Sequence, residues 1–202
     1  MKIKLLLPTI IILAGTVIWL IAQKTSLPAI VKEFSEHHVG EAIDSFNGVK
    51  VYYNGAISHV SERNLAADGY NIGLKYQCVE FVKRYYYERF NHEMPDSYGN
   101  AKDFFDESVI DSALNKKRNL VQYTNGSKWR PAAEDLIIFD GSAFNQYGHV
   151  AIITKVSDDS IEIIQQNPGP AARSRISLPL TNEHGKWKVE NDRALGWLRK
   201  QS

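Results

Sequence analysis

Apolar residues follow different rules in different parts of this chain. An uncharged run extends from Leu5 to Ala22, preceded by Lys2 and Lys4 and closed by Gln23 and Lys24. At about 1.5 Å rise per residue it reaches about 27 Å as a helix, near the thickness of a hydrocarbon core. Between Gln77 and Phe90 the period is helical: Val79, Val82, Tyr86 and Phe90 share one stripe, with Cys78, Phe81 and Tyr85 beside it. Glu80 and Arg84 stand four apart in the favourable order for a helical ion pair. After Pro131 the period shortens. Asp135 to Asp140, His149 to Val156, Ile161 to Gln166, Ile176 to Leu180 and Gly196 to Arg199 read as strands. Ser157 to Ser160 makes a turn, and Asn167-Pro168-Gly169-Pro170 stops the sheet. A helix followed by successive strands predicts an α+β domain with an antiparallel sheet, preceded by an N-terminal hydrophobic helix.

Weaker signals lie between these segments. Residues 24–45 read as a linker, where Ile30, Val31, Phe34 and Ile43 continue toward Phe46 as a loose stripe suited to a short docking helix. Gly48 to Tyr53 reads as a strand with Asn54-Gly55 as its turn, and residues 56–75 read mostly as loop. A further helix is expected around Asn100 to Phe105, and loop signals return at Asn125-Gly126-Ser127. The organisation is therefore an N-terminal segment over 1–23, a linker over 24–45 and a folded domain over 46–202.

The N-terminal run has two readings. A long apolar stretch with no A-x-A-like site around Leu20 to Ser26 favours an uncleaved membrane anchor through residues 5–22. The alternative is a cleaved signal and a secreted domain. In either case the leading lysines stay inside, which puts the domain outside the cytoplasm, in a periplasm or at the cell surface.

A formal net charge of +1 supplies no strong field for nucleic acid. The single cysteine, Cys78, excludes an intramolecular disulfide and leaves buried filler, an intermolecular bridge or a nucleophile. His37-His38 lacks partner ligands at a recognisable spacing, and Asp158-Asp159 reads as a turn, so neither metal nor cofactor is expected.

The position of Cys78 bears on those alternatives. At a helix start, unpaired N–H groups and about half a positive charge favour a thiolate and can also hold an oxyanion. The thiol is accordingly expected to ionise below the value of a free cysteine. Of six histidines, His149 is distinguished by following Tyr147-Gly148 and opening a strand, from which it can project into a cleft. If the hairpin loop is Ser157 to Asp159, Val156 faces Ser160, His149 faces Asn167, and Gln165 lies diagonal to His149 on the same side. A two-residue turn puts Gln166 there instead. Either amide can accept from the imidazole N–H and fix its tautomer, the task of a third triad member. Packing of Cys78 against Phe81 and Tyr85, with the amides capping a strand end, is the bland alternative.

In order along the chain, YQCVEF, PAAEDLIIF, GHVAIITKV, IEIIQQN and GWLR resemble CHAP domains, cysteine- and histidine-dependent amidohydrolases and peptidases. The resemblance covers roughly residues 46–200. The stretches Gly69 to Phe105 and NGSKWRPAAEDLIIFDG are similar to the amidase half of glutathionylspermidine synthetase/amidase. The resemblance implies a papain-like core, Cys78 as nucleophile, His149 as base and Gln165 as third residue. It implies the backbone N–H of Cys78, helped by Gln77, as oxyanion hole, with Asn167 near the substrate. Many members carry Glu where this chain has Gln165, so a weaker thiolate–imidazolium pair is expected. Glu134 stands where many carry glycine, and Asp135 reads as structural.

Three functions follow as expectations: a membrane-anchored hydrolase acting on peptidoglycan peptides, an amidase acting on a small glutathionylspermidine-like conjugate, and a catalytically silent wall-binding module. The intact Cys78 and His149 argue against the last, and Gln165 leaves it open.

Overall fold

The computed structural model describes residues 37–169 and 172–201. The apolar run over residues 5–22, expected to be a hydrophobic helix, lies outside them. Among the described residues no helix is long and apolar enough to cross a membrane.

The architecture is mixed α and β, dominated by sheet, with one α-helix among the described residues. Two small hairpins come first. β1 (Ala42–Phe46) pairs antiparallel with β2 (Val49–Tyr52), and β3 (Arg63–Leu65) pairs antiparallel with β4 (Asn71–Leu74). The helix α1 (Cys78–Phe90) follows, then a single 3-10 turn at Lys102–Phe104. The remaining strands are β5 (Ala113–Asn115), β6 (Leu120–Thr124), β7 (Leu136–Phe139), β8 (His149–Val156), β9 (Ser160–Ile164), β10 (Arg175–Glu183), β11 (Lys186–Val189) and β12 (Ala194–Arg199). They form one eight-stranded sheet in the order β11-β10-β9-β8-β7-β12-β6-β5, with every pairing antiparallel.

The sheet buries both faces, and alternation along each strand decides which residue goes where. Leu136, Ile138, Val150, Ile152 and Ile164 pack on the helix side with Phe81, Val82, Tyr85 and Tyr86. Ile137, Phe139, Ala151, Ile153, Ile161 and Ile163 pack with Leu180 and Val189 on the opposite side. At roughly 1.5–3 kcal/mol for each large apolar side chain fully buried, these two layers supply most of the driving force for folding.

Several expectations need correction. Ala42–Phe46 is a strand and not part of a linker, because Asn47-Gly48 takes positive φ at both residues (49° and 86°) and closes a tight hairpin. Residues 56–75 are mostly loop, as expected, with the short β3–β4 hairpin inside them. The helix expected around Asn100 to Phe105 is only the 3-10 turn at Lys102–Phe104. There the Asp103 carboxylate accepts from the Asn100 N–H, and the chain extends again at Phe105. β5, β6 and β11 carried no clear period in the sequence because they are short or buried on both faces.

Candidate active site

The nucleophile candidate stands where loop turns into helix. Gln77 is extended (φ −83°, ψ 162°) and caps α1, so Cys78 is its first residue. Gly73 (φ 140°) lets β4 run against the first turn, since a Cβ there would lie 2.9 Å from the Glu80 Cα. Beneath that turn a buried polar network holds the helix start. Arg84 Nε donates to Glu80 Oε1 at 2.7 Å, and Arg84 Nη2 donates to the Lys50 carbonyl at 2.8 Å. Gln166 Nε2 donates to Glu80 Oε2 at 2.8 Å and to the Gln77 carbonyl at 3.0 Å, while its Oε1 accepts from the Tyr52 N–H at 2.8 Å. The i,i+4 pair visible in the sequence is therefore not a solvated surface pair but a buried one, and removing either charge would strand the other.

The base candidate opens β8. His149 pairs with Phe139 across the ladder. The preceding Gly148 (φ 75°) is a position only glycine fits, since a Cβ would meet the Phe139 carbonyl oxygen at 2.5 Å. His149 Nε2 lies 3.0 Å from Gln165 Oε1. Gln165 Nε2 donates to the Arg173 carbonyl at 3.0 Å. That carbonyl can only accept, so it fixes the amide with its oxygen toward the imidazole. The imidazole proton then resides on Nε2, and Nδ1 keeps a free lone pair.

The hairpin reaches this arrangement by a different route from the expected one. Val156 pairs with Ile161, not Ser160, so the connection is one residue longer. An irregularity between Ile153 and Lys155 takes up the difference, and Ile152 pairs with Ile164. Beyond that point Gln165 falls on the His149 side and Gln166 on the helix side.

Cys78 and His149 line one cavity of about 810 Å³, together with Gln77, Tyr147, Gly148 and Asn167. Both are half-buried. Burial pushes the Cys78 thiol up, against the backbone N–H groups of Val150, Val79 and Cys78 itself, which pull it down. Burial holds His149 down at about 4; the hydrogen bond it donates to Gln165 opposes this and the charge of Arg193 adds to it. Both shifts favour a neutral thiol and a neutral imidazole in the same cavity. This corrects the expected low thiol pKa: desolvation exceeds what the helix end and its N–H groups return.

Gln77 and Asn167 border the cavity, but their amides are engaged elsewhere. Gln77 Nε2 gives both its protons to the carbonyls of Ile57 (3.1 Å) and His59 (2.7 Å). Asn167 Nδ2 donates to Gln77 Oε1 (2.8 Å) and to the Ile57 carbonyl (3.0 Å). In this arrangement they tie the 57–59 loop to the cavity wall.

Sequence reasoning missed the part played by Gln166; the strand parity that put it on the far side from His149 was the available signal. Glu134 sits at φ 72°, the backbone demand a glycine would meet freely. Its carboxylate is held by Asn47 Nδ2 (2.7 Å), the Tyr85 hydroxyl (2.8 Å) and Arg89 Nε (3.0 Å). Asp135 is buried in a two-pronged pair with Arg199 (2.8 and 2.7 Å), far from any role in the cavity.

The family model described as "CHAP domain" matches residues 68–167. Trypanothione synthetase of Crithidia fasciculata is 34% identical over 123 residues, 59% of this chain and 19% of that protein. The bifunctional glutathionylspermidine synthetase/amidase of Escherichia coli is 35% identical over 138 residues, 63% of this chain and 22% of that protein. The chain thus spans about a fifth of the length of the curated relatives it matches. Among solved structures, the wild type endolysin LysIME-EF1 superposes with a TM-score of 0.40 at 17% identity, covering 86% of this chain and 63% of that one. That score is too low to establish a shared fold.

Proposed function

Residues 68–167 belong to the CHAP domain family, and from that premise we propose that this protein is a cysteine-dependent amide-bond hydrolase. The observation that carries the reading is the cavity that Cys78 and His149 both line, with His149 Nε2 held by Gln165 Oε1 at 3.0 Å. His149 Nδ1 takes the proton of the Cys78 thiol as Sγ attacks the carbonyl carbon. The oxyanion is held by the Cys78 backbone N–H. The imidazolium then gives its proton to the departing amine, leaving a thioester on Cys78. Water, deprotonated by His149, hydrolyses the thioester and restores the thiol. Gln165 acts through His149 as a positioning residue.

The substrate is proposed to be a peptidoglycan peptide or sugar–peptide amide, on a papain-like domain over residues 46–202 held outside the cytoplasm by an anchor at residues 5–22. Support comes from the apolar run behind Lys2 and Lys4. A second reading, an amidase on a small peptide conjugate, is favoured by the 138-residue match to a glutathionylspermidine synthetase/amidase. Incubating the full chain and its Cys78→Ala variant with purified muropeptides and with glutathionylspermidine, and weighing the products, separates the two. Cleavage of muropeptides by the parent alone is the expected result. Cleavage that persists in Cys78→Ala would end the cysteine-dependent reading.

A further inference from the structure

The cavity that holds Cys78 is electrically lopsided. Among the described residues no aspartate or glutamate lines it, and apart from His149 its one charged side chain is Arg63. Arg63 sits on β3 opposite Leu74, at the wall that leads into the nucleophile turn. Arg63 is exposed to solvent, and its guanidinium is anchored at one nitrogen. Nη1 donates to Asn71 Oδ1 at 2.9 Å, and the group lies 5.5 Å from the centroid of the Tyr98 ring. Among the described residues Nε and Nη2 have no partner, and no carboxylate pairs with the group.

A second cation stands behind the same wall. Lys83 is fully buried, and its Nζ donates to the carbonyls of Asn71 and Ser97, both residues of the cavity lining. Burial, with Arg118 and Arg63 nearby, holds this ammonium down at about 8, while Asp96 only weakly opposes them. An end of the cavity that exposes an open guanidinium edge, backed by a buried cation and faced by no acid among the described residues, is complementary to a planar anion.

We propose that Arg63, oriented by Asn71 and Tyr98, forms a carboxylate-binding subsite of the Cys78 cavity, so that the substrate is an anionic peptide and not a polycationic amide. This deepens the reading of the cavity as a substrate site and rests on it. Arg63 is a specificity residue here, remote from the reacting atoms.

The lone thiol makes a direct probe. Bromoacetylated ω-amino acids of increasing chain length, from glycine to aminohexanoate, alkylate Cys78 in the full-length protein alongside their carboxamide twins. Sγ displaces bromide, and the thiol proton goes to buffer. Rates are normalised to those of free cysteine. At one chain length the carboxylate reagent should react about 10-fold faster than its twin, the scale of one charge-assisted bidentate contact. Arg63→Gln should bring that ratio to about 1, Arg63→Lys should keep part of it, and Lys128→Gln, outside the cavity, should keep all of it. Thermal melting of each variant checks folding, and the Lys variant decides the matter where the Gln variant melts early. A ratio of about 1 at every length in the parent, or a ratio untouched by Arg63→Gln, overturns the subsite. A preference that stands while muropeptides and glutathionylspermidine stay uncut supports the subsite and sinks the hydrolase reading instead.

Discussion

Gln165 and Gln166 are neighbours in sequence, both buried, and they serve opposite sides of the site. Gln165 gives its oxygen to His149 and its nitrogen to the Arg173 carbonyl, on the hairpin side. Gln166 ties Tyr52, Gln77 and Glu80 together under the helix start that carries Cys78. The hairpin side is a single contact to the proposed base. The helix side is a network of buried charges and amides whose loss changes the fold. The difference teaches that one step along a strand separates a residue that touches the proposed base from one that holds a backbone.

The comparison is tested most strongly at Gln165. Gln165→Ala should lower kcat by roughly 10²-fold, the range in which general-base catalysis contributes. Its melting temperature should change far less than its rate. Gln166→Ala should do the reverse, because it strands the Tyr52 N–H and removes a donor from Glu80. Chemical denaturation should show a loss of about 2 kcal/mol, with kcat of the folded fraction close to that of the parent. A large kcat effect from Gln166→Ala at unchanged stability would merge the two roles and break the distinction.

Much of this contrast was legible in the sequence, and the illegible parts have physical reasons. Helical spacing after Gln77 fixed the helix to its residues, and the Val/Ile/Thr-rich run marked β8 with His149 at its head. The amide opposite His149 followed from strand parity, although the hairpin connection is one residue longer than expected. A bulge near Thr154 cancels that extra residue, and nothing in Thr154 announces it. The pKa of Cys78 was misread because a helix end can be seen in a sequence and desolvation cannot. The Glu80–Arg84 spacing was visible, but its burial depends on Lys50, Asn64 and Gln166, which arrive from distant segments.

With His149 held at about 4, kcat/KM should stay level through mildly acidic pH and fall only as pH drops toward 4, where the base becomes protonated. Gln165→Glu places a negative charge beside the imidazole and raises its pKa, so the acid limb should move to higher pH. The same change sets an oxygen against the Arg173 carbonyl, which costs stability and separates this variant from a simple gain. An acid limb that stays in place would show that residue 165 does not govern His149. The smallest effect is expected at Asn167. Asn167→Ala frees one side of the 57–59 loop and should change kcat/KM by less than about 5-fold, within about 1 kcal/mol.

The central claim is that Cys78 carries the acyl group during turnover, with His149 as its base. Rapid acid quench of the full-length protein turning over a muropeptide, followed by intact-mass and peptide-mass analysis, measures this directly. The account predicts a transient thioester adduct on the peptide containing Cys78, absent from Cys78→Ala and formed far more slowly by His149→Ala. Turnover of the muropeptide with no adduct on Cys78 in the parent, and an undiminished rate in Cys78→Ala, would contradict it.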